Sequence, residues 1–288
     1  MSQTCSHTTE ADENRRQLEE AMLTERMNQI RQKIVVMSGK GGVGKSTVAV
    51  NLALGLARAG FSVGLLDVDI HGPSVPQLLR LVDQGVHIVE SELQPLKVME
   101  GLRVMSIGFL LNSVKDAVIW RGPMKYGVIQ QFLRDTAWGR LDYLVVDSPP
   151  GTGDEPLAVA QLVGKPAVAV LVTTPQDLAV SDVRRSVSFC RAVGLPVLGI
   201  VENMSGLVCP SCGHHIDVFK TGGGETLALE MSVPYLGRVP LDPAVVSRGD
   251  TGYSLADTAG AGSSTFQPII QAVLDRTRAG RIELTVIQ

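Results

Sequence analysis

A glycine-rich loop between an apolar run and a helical pattern constrains this chain more than any other feature. The loop reads Gly39-Lys-Gly-Gly-Val-Gly-Lys-Ser46 and fits the spacing G-x-x-x-x-G-K-[ST]. The run Ile34–Met37 before it predicts a buried strand, and the residues after it predict a helix that ends near Ala59. Glycines let such a loop curl so that its N–H groups point inward, and the following helix adds its positive end. The loop therefore predicts a site for the phosphates of a nucleotide.

The rest of the chain alternates between short strands and helices. Aliphatic or β-branched runs are separated by helical stretches of roughly ten or more residues, such as the helix predicted over Leu178–Val193. This alternation is typical of βαβ crossovers, so we predict an α/β fold with a mostly parallel, doubly wound sheet. The further predicted strands are Phe61–Leu66, Leu102–Ile107, Tyr143–Val146, Ala167–Val172 and Val197–Val201.

No linker splits the chain, and one domain over residues 33–280 is the predicted organisation. Residues 1–32 are expected to form a flexible tail and then a short amphipathic helix, from Glu13 to about Gln32, that serves as a surface arm or docking segment. Residues 281–288 are expected to form a C-terminal tail. Residues 204–224 contain two cysteines, two histidines and three successive glycines, so they are predicted to leave the sheet as an excursion.

The composition argues against two kinds of binding partner, nucleic acids and anionic membranes. Only 4% of the residues are aromatic and the formal net charge is −3, so neither a stacking surface for bases nor a general attraction to DNA or anionic lipid is expected. The polar start lacks the apolar core of a signal peptide, and no run reaches the ~18 apolar residues of a spanning helix. We therefore expect a soluble, cytoplasmic protein that binds no nucleic acid and no membrane, and whose thiols stay reduced.

The residue types in the glycine loop assign roles to particular groups. The backbone of the loop would bind the phosphates of ATP, Lys45 would neutralise the β- and γ-phosphates, and the hydroxyl of Ser46 would ligate Mg²⁺. A glycine-rich turn without a ligand is the alternative, which the strand, spacing and helix together disfavour. The residues predicted to bind phosphates are Gly39, Gly41, Gly42, Val43, Gly44, Lys45, Ser46 and Thr47.

Three aspartates follow predicted strands. Asp67 and Asp69 come at the end of the second predicted strand, and Asp147 comes at the end of the strand Tyr143–Val146. Because ligands of open α/β sheets bind at the carboxyl ends of the strands, we expect these carboxylates beside the glycine loop. Asp147 has the position that holds the Mg²⁺ shell in P-loop enzymes. A solvated turn residue is the alternative for Asp67 or Asp69 taken alone.

The pair Cys209-Pro-Ser-Cys212 is a second chemical signal, because two thiolates at this spacing converge on one soft metal ion or cluster. Two ligands cannot complete a tetrahedral metal site or a four-cysteine cluster. A two-fold dimer would supply four thiolates from two identical pairs. A single-chain zinc site completed by His214 or His215 is the main alternative, although histidines so close to the second cysteine reach it poorly. Cys190 lies in a helical pattern and is expected in the core.

Several motifs together resemble the Mrp/ApbC family of iron–sulfur cluster carrier ATPases, from about Lys33 to Thr277. The second lysine of the loop, Lys40, is similar to that of the deviant Walker A motif, which nitrogenase iron protein and the partition and division-site ATPases share. The D-x-D-I-H-G-P-S stretch and the CxxC with its downstream triple glycine separate the family from those relatives. The matching stretches are Gly39–Thr47, Asp67–Ser74, Asp147–Asp154, Val201–Met204, Cys209–Cys212 and Gly222–Gly224.

The resemblance implies further roles. Lys40 would reach across a homodimer to the partner's nucleotide, Asp69 would orient the attacking water, and Asp67 would support that water or the metal. Gly151 and Gly153 would form a loop that senses the γ-phosphate. The residues implied in contacting the purine base are Asn203 and, after Pro240, Asp242.

The resulting hypothesis is a homodimer that binds and slowly hydrolyses ATP. It would hold a [4Fe–4S] cluster bridged between Cys209 and Cys212 of two subunits, and would transfer it to apo iron–sulfur proteins in the company of cluster assembly proteins. A positioning or partition-type ATPase is one alternative, since it shares the phosphate loop but does not need the cysteines. A zinc- or nickel-binding scaffold is the other.

Overall fold

The computed structural model describes residues 10–110, 122–209, 211–242 and 262–278. Residues 1–9 of the expected N-terminal tail and the expected C-terminal tail, residues 281–288, lie outside this part of the chain, whereas residues 10–12 belong to the first helix. The helices are α1 (Glu10–Asn28), α2 (Lys45–Arg58), α3 (Val75–Leu78), α4 (Gly122–Asp135), α5 (Asp154–Leu162), α6 (Asp177–Ala192), α7 (Gly223–Glu230) and α8 (Gly262–Arg278). The strands are β1 (Ile30–Ser38), β2 (Val63–Asp67), β3 (His87–Val89), β4 (Glu92–Gln94), β5 (Leu96–Met99), β6 (Leu102–Ser106), β7 (Leu141–Asp147), β8 (Ala167–Thr173), β9 (Val197–Val208), β10 (His215–Ile216) and β11 (Tyr235–Leu241).

One large sheet organises the described residues, with the strand order β10-β9-β8-β1-β7-β2-β6-β5 and with β11 also paired to β9. The pairs among β1, β2, β6, β7, β8, β9 and β11 are parallel, whereas β5 and β10 at the two ends are antiparallel to their neighbours. Helices flank this sheet, and the prediction of a mostly parallel, doubly wound α/β fold is confirmed. Central strands such as β8 are continuous aliphatic runs because both faces are buried.

Parallel pairing brings functional residues to one edge of the sheet. Asp67 lies opposite Asp147 in the pairing of β2 with β7, and Val36 of β1 lies opposite the same Asp147. The glycine loop leaves β1 at this edge, directly after Ser38. The three strands therefore place the loop and the predicted carboxylates together, as the rule for open α/β sheets requires.

The N-terminal helix packs on the domain instead of projecting from it as an arm. Leu23 and Met27 of α1 are buried in the core, and α1 lies against α4. Arg26 Nε donates to the main-chain oxygen of Arg134 at 3.2 Å, and Arg134 also forms an ion pair with Glu19. The helix ends at Asn28, so the prediction that it extends to Gln32 was wrong. Residues 30–32 belong to β1, because that strand pairs with β7 from its first residue.

Strand β9 continues well beyond the end predicted at Val201. Leu207 near its far end pairs with both Ile216 of β10 and Leu241 of β11. The predicted excursion at residues 204–224 therefore begins as a continuation of the sheet, turns back as a hairpin, and ends in α7. Asn, Ser and Gly are poor strand formers, so the sequence after Val201 gives no sign of the longer strand. No helix within the described ranges is long and apolar enough to cross a membrane.

Replacing Met27 by alanine should lower the free energy of unfolding by about 2–5 kcal/mol, because removal of a buried side chain leaves a cavity. Met22→Ala on the same helix is the matched control, since Met22 is 48% exposed, and it should change stability by no more than about 0.5 kcal/mol. Urea unfolding followed by circular dichroism measures both. Small, equal effects would show that α1 is a detachable arm.

Candidate functional site

The glycine loop joins β1 to α2 in a conformation that its glycines permit. Gly42 and Gly44 have φ angles of 79° and 81°, in the left-handed region that favours glycine. A Cβ added at Gly39 would overlap the backbone of Asp182 in α6, so glycine there allows close packing. Helix α2 begins at Lys45, and the unpaired N–H groups of its first turn make this helix end favourable for anions. Of the other predicted loop residues, Gly41 is exposed, Val43 is buried, and Ser46 and Thr47 lie in the first turn of α2.

Lys45 lies among carboxylates at the edge of the sheet. Its Nζ is 2.6 Å from Asp147 Oδ1 and 3.5 Å from Asp69 Oδ2. Burial disfavours the charged ammonium, but the charges of Asp147, Asp69 and Asp67 outweigh this effect and raise the pKa of Lys45. The structure thus brings together the lysine and the three aspartates that the sequence singled out.

Asp67 is held by the protein from several sides. Its Oδ1 accepts a hydrogen bond from the backbone N–H of Asp69 at 3.0 Å, and its Oδ2 accepts from Ser106 Oγ at 2.9 Å and from the N–H of Val75 at 3.4 Å. Burial, with the charge of Asp147 as a smaller cause, raises the pKa of Asp67 to about 8. Because both its oxygens are engaged, Asp67 fixes the loop that carries Asp69. Ser106 was not predicted, since nothing in the sequence connects β6 with this aspartate.

Two buried carboxylate oxygens, Asp69 Oδ1 and Asp147 Oδ2, have no hydrogen-bond partner among the described residues. Burial raises the pKa of Asp147, although Lys45 and the hydroxyl of Ser46 oppose the rise. Buried polar atoms are normally satisfied, so unpartnered carboxylate oxygens indicate the position of a ligand. Carboxylate and hydroxyl oxygens are the ligands that Mg²⁺ prefers. These residues therefore fit a magnesium ion.

A magnesium ion at this site would need few ligands from the protein itself. Within the described ranges no three His, Cys, Asp or Glu side chains are arranged to hold a metal ion by themselves. Mg²⁺ in nucleotide sites needs only one or two carboxylates, because it keeps several waters and takes further oxygens from the phosphates of the substrate. The site is thus suited to a metal that arrives with a nucleotide.

The loop after β7 is bound to the end of β1, from which the glycine loop starts. The N–H of Gly151 donates to the main-chain oxygen of Ser38 at 2.8 Å, and that of Ser148 donates to Val36 at 3.1 Å. Gly151 has a φ of 90°, and Gly153 is the residue that precedes α5. Both glycines predicted to sense the γ-phosphate are therefore in a loop anchored directly to the end of β1.

Three polar side chains that the sequence did not single out join this loop to the loop after β2. His71 Nε2 lies 3.1 Å from Glu155 Oε1 and 3.0 Å from Lys125 Nζ, and Lys125 also forms an ion pair with Glu155. His71 comes two residues after Asp69, and Glu155 is in the first turn of α5. Their contact depends on α4, which carries Lys125 and was not predicted from the sequence.

Asn203 reaches the glycine loop. Its Nδ2 donates to the main-chain oxygen of Val43 at 2.9 Å, and a Cβ added at Gly44 would overlap this same nitrogen. Asn203 pairs with Val239 of β11, and Asp242 follows directly after that strand. The two residues implied in base contact therefore lie on neighbouring strands at one edge of the sheet, with Asn203 at the loop itself.

Lys40 has different surroundings from the buried Lys45. It is partly exposed at the start of the glycine loop, and its main-chain oxygen accepts a hydrogen bond from Ser38 Oγ at 2.9 Å. None of the ion pairs between described residues involves its ammonium group.

Cys209 and Cys212 lie at the tip of the β9–β10 hairpin. The N–H of Cys209 donates to the main-chain oxygen of His214 at 2.9 Å, and that of Gly213 donates to Cys209 at 2.8 Å. Both cysteines are free thiols, and Cys212 is exposed. The backbone N–H groups of Ser211 and Cys212 lower the pKa of Cys209, which favours the thiolate that binds metals.

The histidines next to this pair do not complete a metal site. Within the described ranges, no group of three metal-ligating side chains includes His214 or His215. Among the described residues, Cys209 and Cys212 therefore lie together without a third metal-ligating side chain. Cys190 is fully buried in α6, and burial raises the pKa of its thiol to about 12, which confirms that it is a core residue.

The site can now be compared with known proteins. The model of a family described as NUBPL iron-transfer P-loop NTPase matches residues 29–274. A curated relative from Methanocaldococcus jannaschii, named iron-sulfur cluster carrier protein, is 44% identical over 258 residues, which are 90% of this chain and 89% of the relative. The resemblance that the motifs predicted is confirmed.

Solved structures agree with this assignment. A nucleotide-binding protein from Archaeoglobus fulgidus in complex with ADP is 40% identical, with a TM-score of 0.71 over 80% of this chain and 90% of that one. The cell division ATPase MinD from Pyrococcus furiosus is 22% identical, with a TM-score of 0.59 over 85% and 99% of the two chains, and shows likeness of fold alone. With its phosphate loop, its carboxylates and its cysteine pair in place, the chain belongs to the family of NUBPL iron-transfer P-loop NTPases.

Proposed function

We propose that this protein is a cytoplasmic, ATP-hydrolysing homodimer that holds a [4Fe–4S] cluster between the cysteine pairs of its two subunits and transfers it to apoproteins. One observation carries the proposal: a single strand, β9, bears Asn203 at the glycine loop and ends next to Cys209. A nucleotide site and a half-site of thiolates are thus parts of one element. The name of the curated relative and the ADP bound to the relative of known structure support the two halves of the proposal.

The carboxylates and Lys45 account for ATP binding and hydrolysis. Lys45 would exchange its contact with Asp147 for the phosphates, which leaves Asp147 and Ser46 to hold Mg²⁺. When bound, Mg²⁺ would neutralise charge on the phosphates. The unpartnered Oδ1 of Asp69 would accept a hydrogen bond from the attacking water, with Asp67 keeping that loop in place. The carboxylates of Asp69 and Asp147 against one ammonium give the site an excess of negative charge, which favours a divalent cation.

Asp147→Asn should reduce Mg²⁺-dependent ATP hydrolysis by about 10²-fold or more, the usual size of an electrostatic contribution to catalysis. The variant should remain folded without nucleotide, because the asparagine oxygen can still accept the hydrogen bond from Lys45, and Asp69 remains near the same ammonium group. Thermal unfolding with and without Mg²⁺ and a non-hydrolysable ATP analogue measures how much less the bound nucleotide stabilises the variant than the wild type. Asp83→Asn is the control, because it makes the same change of side chain at an exposed position. Undiminished hydrolysis in Asp147→Asn would contradict the assignment.

The partly exposed Lys40 supports a homodimer. Its ammonium has no ion pair among the described residues, and a charge at the start of a phosphate loop is well placed for a second nucleotide across a two-fold axis. Lysine in that position would stabilise negative charge that develops during phosphoryl transfer, as a group supplied by a partner does in other P-loop enzymes.

Lys40→Ala should bind nucleotide but lose hydrolysis by about 10³-fold, the size of a contribution made in trans. Mixing Lys40→Ala with an equally inactive Asp69→Ala variant should then restore activity. In a mixed dimer one site keeps its own Asp69 and receives Lys40 from its partner, so random pairing gives roughly a quarter of the wild-type sites. A mixture that stays inactive would show that Lys40 acts within its own subunit or not at all.

The cysteine pair at the hairpin tip supports a bridging cluster. Each subunit offers two thiols at a hairpin tip, and a [4Fe–4S] cluster takes four thiolates, so two subunits are needed. The lowered pKa of Cys209 supports binding of a soft metal by increasing the share of thiolate at neutral pH. The cluster in this scheme is cargo that the protein passes on.

Anaerobic reconstitution with iron and sulfide should give a brown protein with about four irons per dimer. Cys209→Ala and Cys212→Ala should each abolish the colour and the bound iron, whereas Cys190→Ala, in the core, should retain both. Iron and sulfide analysis, with size-exclusion chromatography, measures the content per dimer. A colourless protein with stoichiometric zinc or nickel would contradict the proposal and favour a metal-binding scaffold.

A further inference from the structure

The proposed function gives no role to one buried carboxylate in β9. Glu202 is fully buried, and the ion pairs formed between described residues do not include it. Its Oε1 accepts hydrogen bonds from Ser205 Oγ at 2.5 Å and from the N–H of Gly222 at 2.9 Å, and its Oε2 accepts from the N–H of Gly224 at 2.5 Å. Burying a carboxylate is costly unless it is well hydrogen-bonded, so these donors explain how the residue is tolerated. They do not explain why a carboxylate stands there.

The donors come from both ends of the segment that carries the cysteine pair. Ser205 lies before the β9–β10 hairpin, and Gly222 and Gly224 lie after it. The two ends also pack together, since a Cβ added at Gly206 would be 3.3 Å from the Cγ2 of Thr221. One carboxylate therefore closes the base of the loop whose tip presents the thiols.

The backbone conformation and packing near Glu202 also explain the three successive glycines. Gly222 has a φ of 83°. A Cβ at Gly223 would be 2.6 Å from the main-chain oxygen of Pro175, and one at Gly224 would be 3.1 Å from both Cβ and Oε2 of Glu202. Glycine at each position lets the first turn of α7 approach β9 and the end of β8. The run thus serves the contact with Glu202 and needs no metal to explain it.

The residue next to Glu202 contacts the nucleotide loop. Successive side chains of a strand point to opposite faces, so Glu202 faces α7 while Asn203 donates to Val43. The strand then bulges: its pairing with β11 shifts after Asn203, and Met204 has a left-handed φ of 57°. Bulges redirect a strand, and a non-glycine residue in this region stores strain. The backbone between the two sites is therefore strained and is held from both faces.

We propose that Glu202 is a positioning residue that transmits the occupancy of the nucleotide site to the cysteine pair. Nucleotide in the glycine loop would displace the amide of Asn203, and the shift of β9 would move the carboxylate together with its donors Gly222 and Gly224. The base of the hairpin, and with it the relative position of Cys209 and Cys212, would follow. The inference rests on the proposed function for the identity of the metal that the thiols hold. By linkage, metal at the thiols would change nucleotide affinity by the same factor.

The test uses Co²⁺ as a probe of the cysteine pair in the anaerobic full-length protein. Thiolate-to-cobalt charge-transfer absorption gives the apparent Kd without nucleotide and with Mg²⁺ and a non-hydrolysable ATP analogue. We expect the analogue to change the wild-type Kd by about 5- to 150-fold, the usual range of coupling between two sites. Glu202→Gln should bring the ratio of the two Kd values to about one, because an amide nitrogen in place of a carboxylate oxygen cannot accept from a backbone N–H.

Two further variants separate coupling from general damage. Glu225→Gln removes the same charge from an exposed position in the first turn of α7, and should keep the wild-type ratio. Gly224→Ala keeps the carboxylate and improves helix propensity, but crowds Glu202, and should reduce the ratio. Nucleotide affinity of Glu202→Gln without metal, measured by calorimetry, should stay within about threefold of wild type, or less than 1 kcal/mol, because Asn203 and the loop are intact.

A folded Glu202→Gln protein with the wild-type ratio would overturn the inference, as would a wild-type ratio of one. If Glu202→Gln does not fold, Gly224→Ala decides in the same way, and an unchanged ratio overturns the inference. A wild-type protein that binds Co²⁺ no better than Cys209→Ala would overturn the proposed cysteine site as well. That failure is recognisable by itself, because it appears before any nucleotide is added.

Discussion

The buried ion pair between Lys45 and Asp147 is the interaction on which the nucleotide site depends. It unites the helix after the glycine loop with the strand beside β1, and the register of β2 against β7 places Asp67 directly opposite Asp147. Buried charges are tolerated only when they are paired and hydrogen-bonded. One ammonium group satisfies only part of three carboxylates, so Asp67 takes its partners from Ser106 and the backbone, and Asp69 and Asp147 each keep an oxygen without a partner. The arrangement favours the arrival of a cation with phosphates.

The cysteine pair depends on the same sheet in a different way. β9 is a strand of this sheet, so the position of its far end is set by pairing with β8 and β11. None of the described residues 209 and 211–220 of the hairpin beyond it belongs to the core, and Glu202 accepts hydrogen bonds from both sides of the hairpin's base. The sheet therefore supports a small hairpin whose tip carries the two thiols. The thiols of the tip are thus separate from the side chains of the core.

The features that could be predicted from the sequence are those with local signals. The strand–loop–helix around Gly39–Ser46 has a fixed spacing, and Asp67 and Asp147 end aliphatic runs, so their meeting at one edge follows from parallel pairing. The features that could not be predicted depend on distant partners. Ser106 is 39 residues from Asp67, and Glu202 is 22 residues from Gly224. The packing of α1 was also missed, since a helix with few apolar residues gives a weak pattern for burial.

Asp67 makes this edge of the sheet a place of proton exchange. Its pKa of about 8 lies far above the ordinary 3.8, so near neutral pH the folded chain holds a proton there when no cation is present. A divalent cation beside Asp147, as proposed, replaces repulsion by attraction and lowers that pKa, so its arrival expels the proton. By linkage, acid weakens cation binding and base strengthens it up to about pH 8, above which the proton has already left.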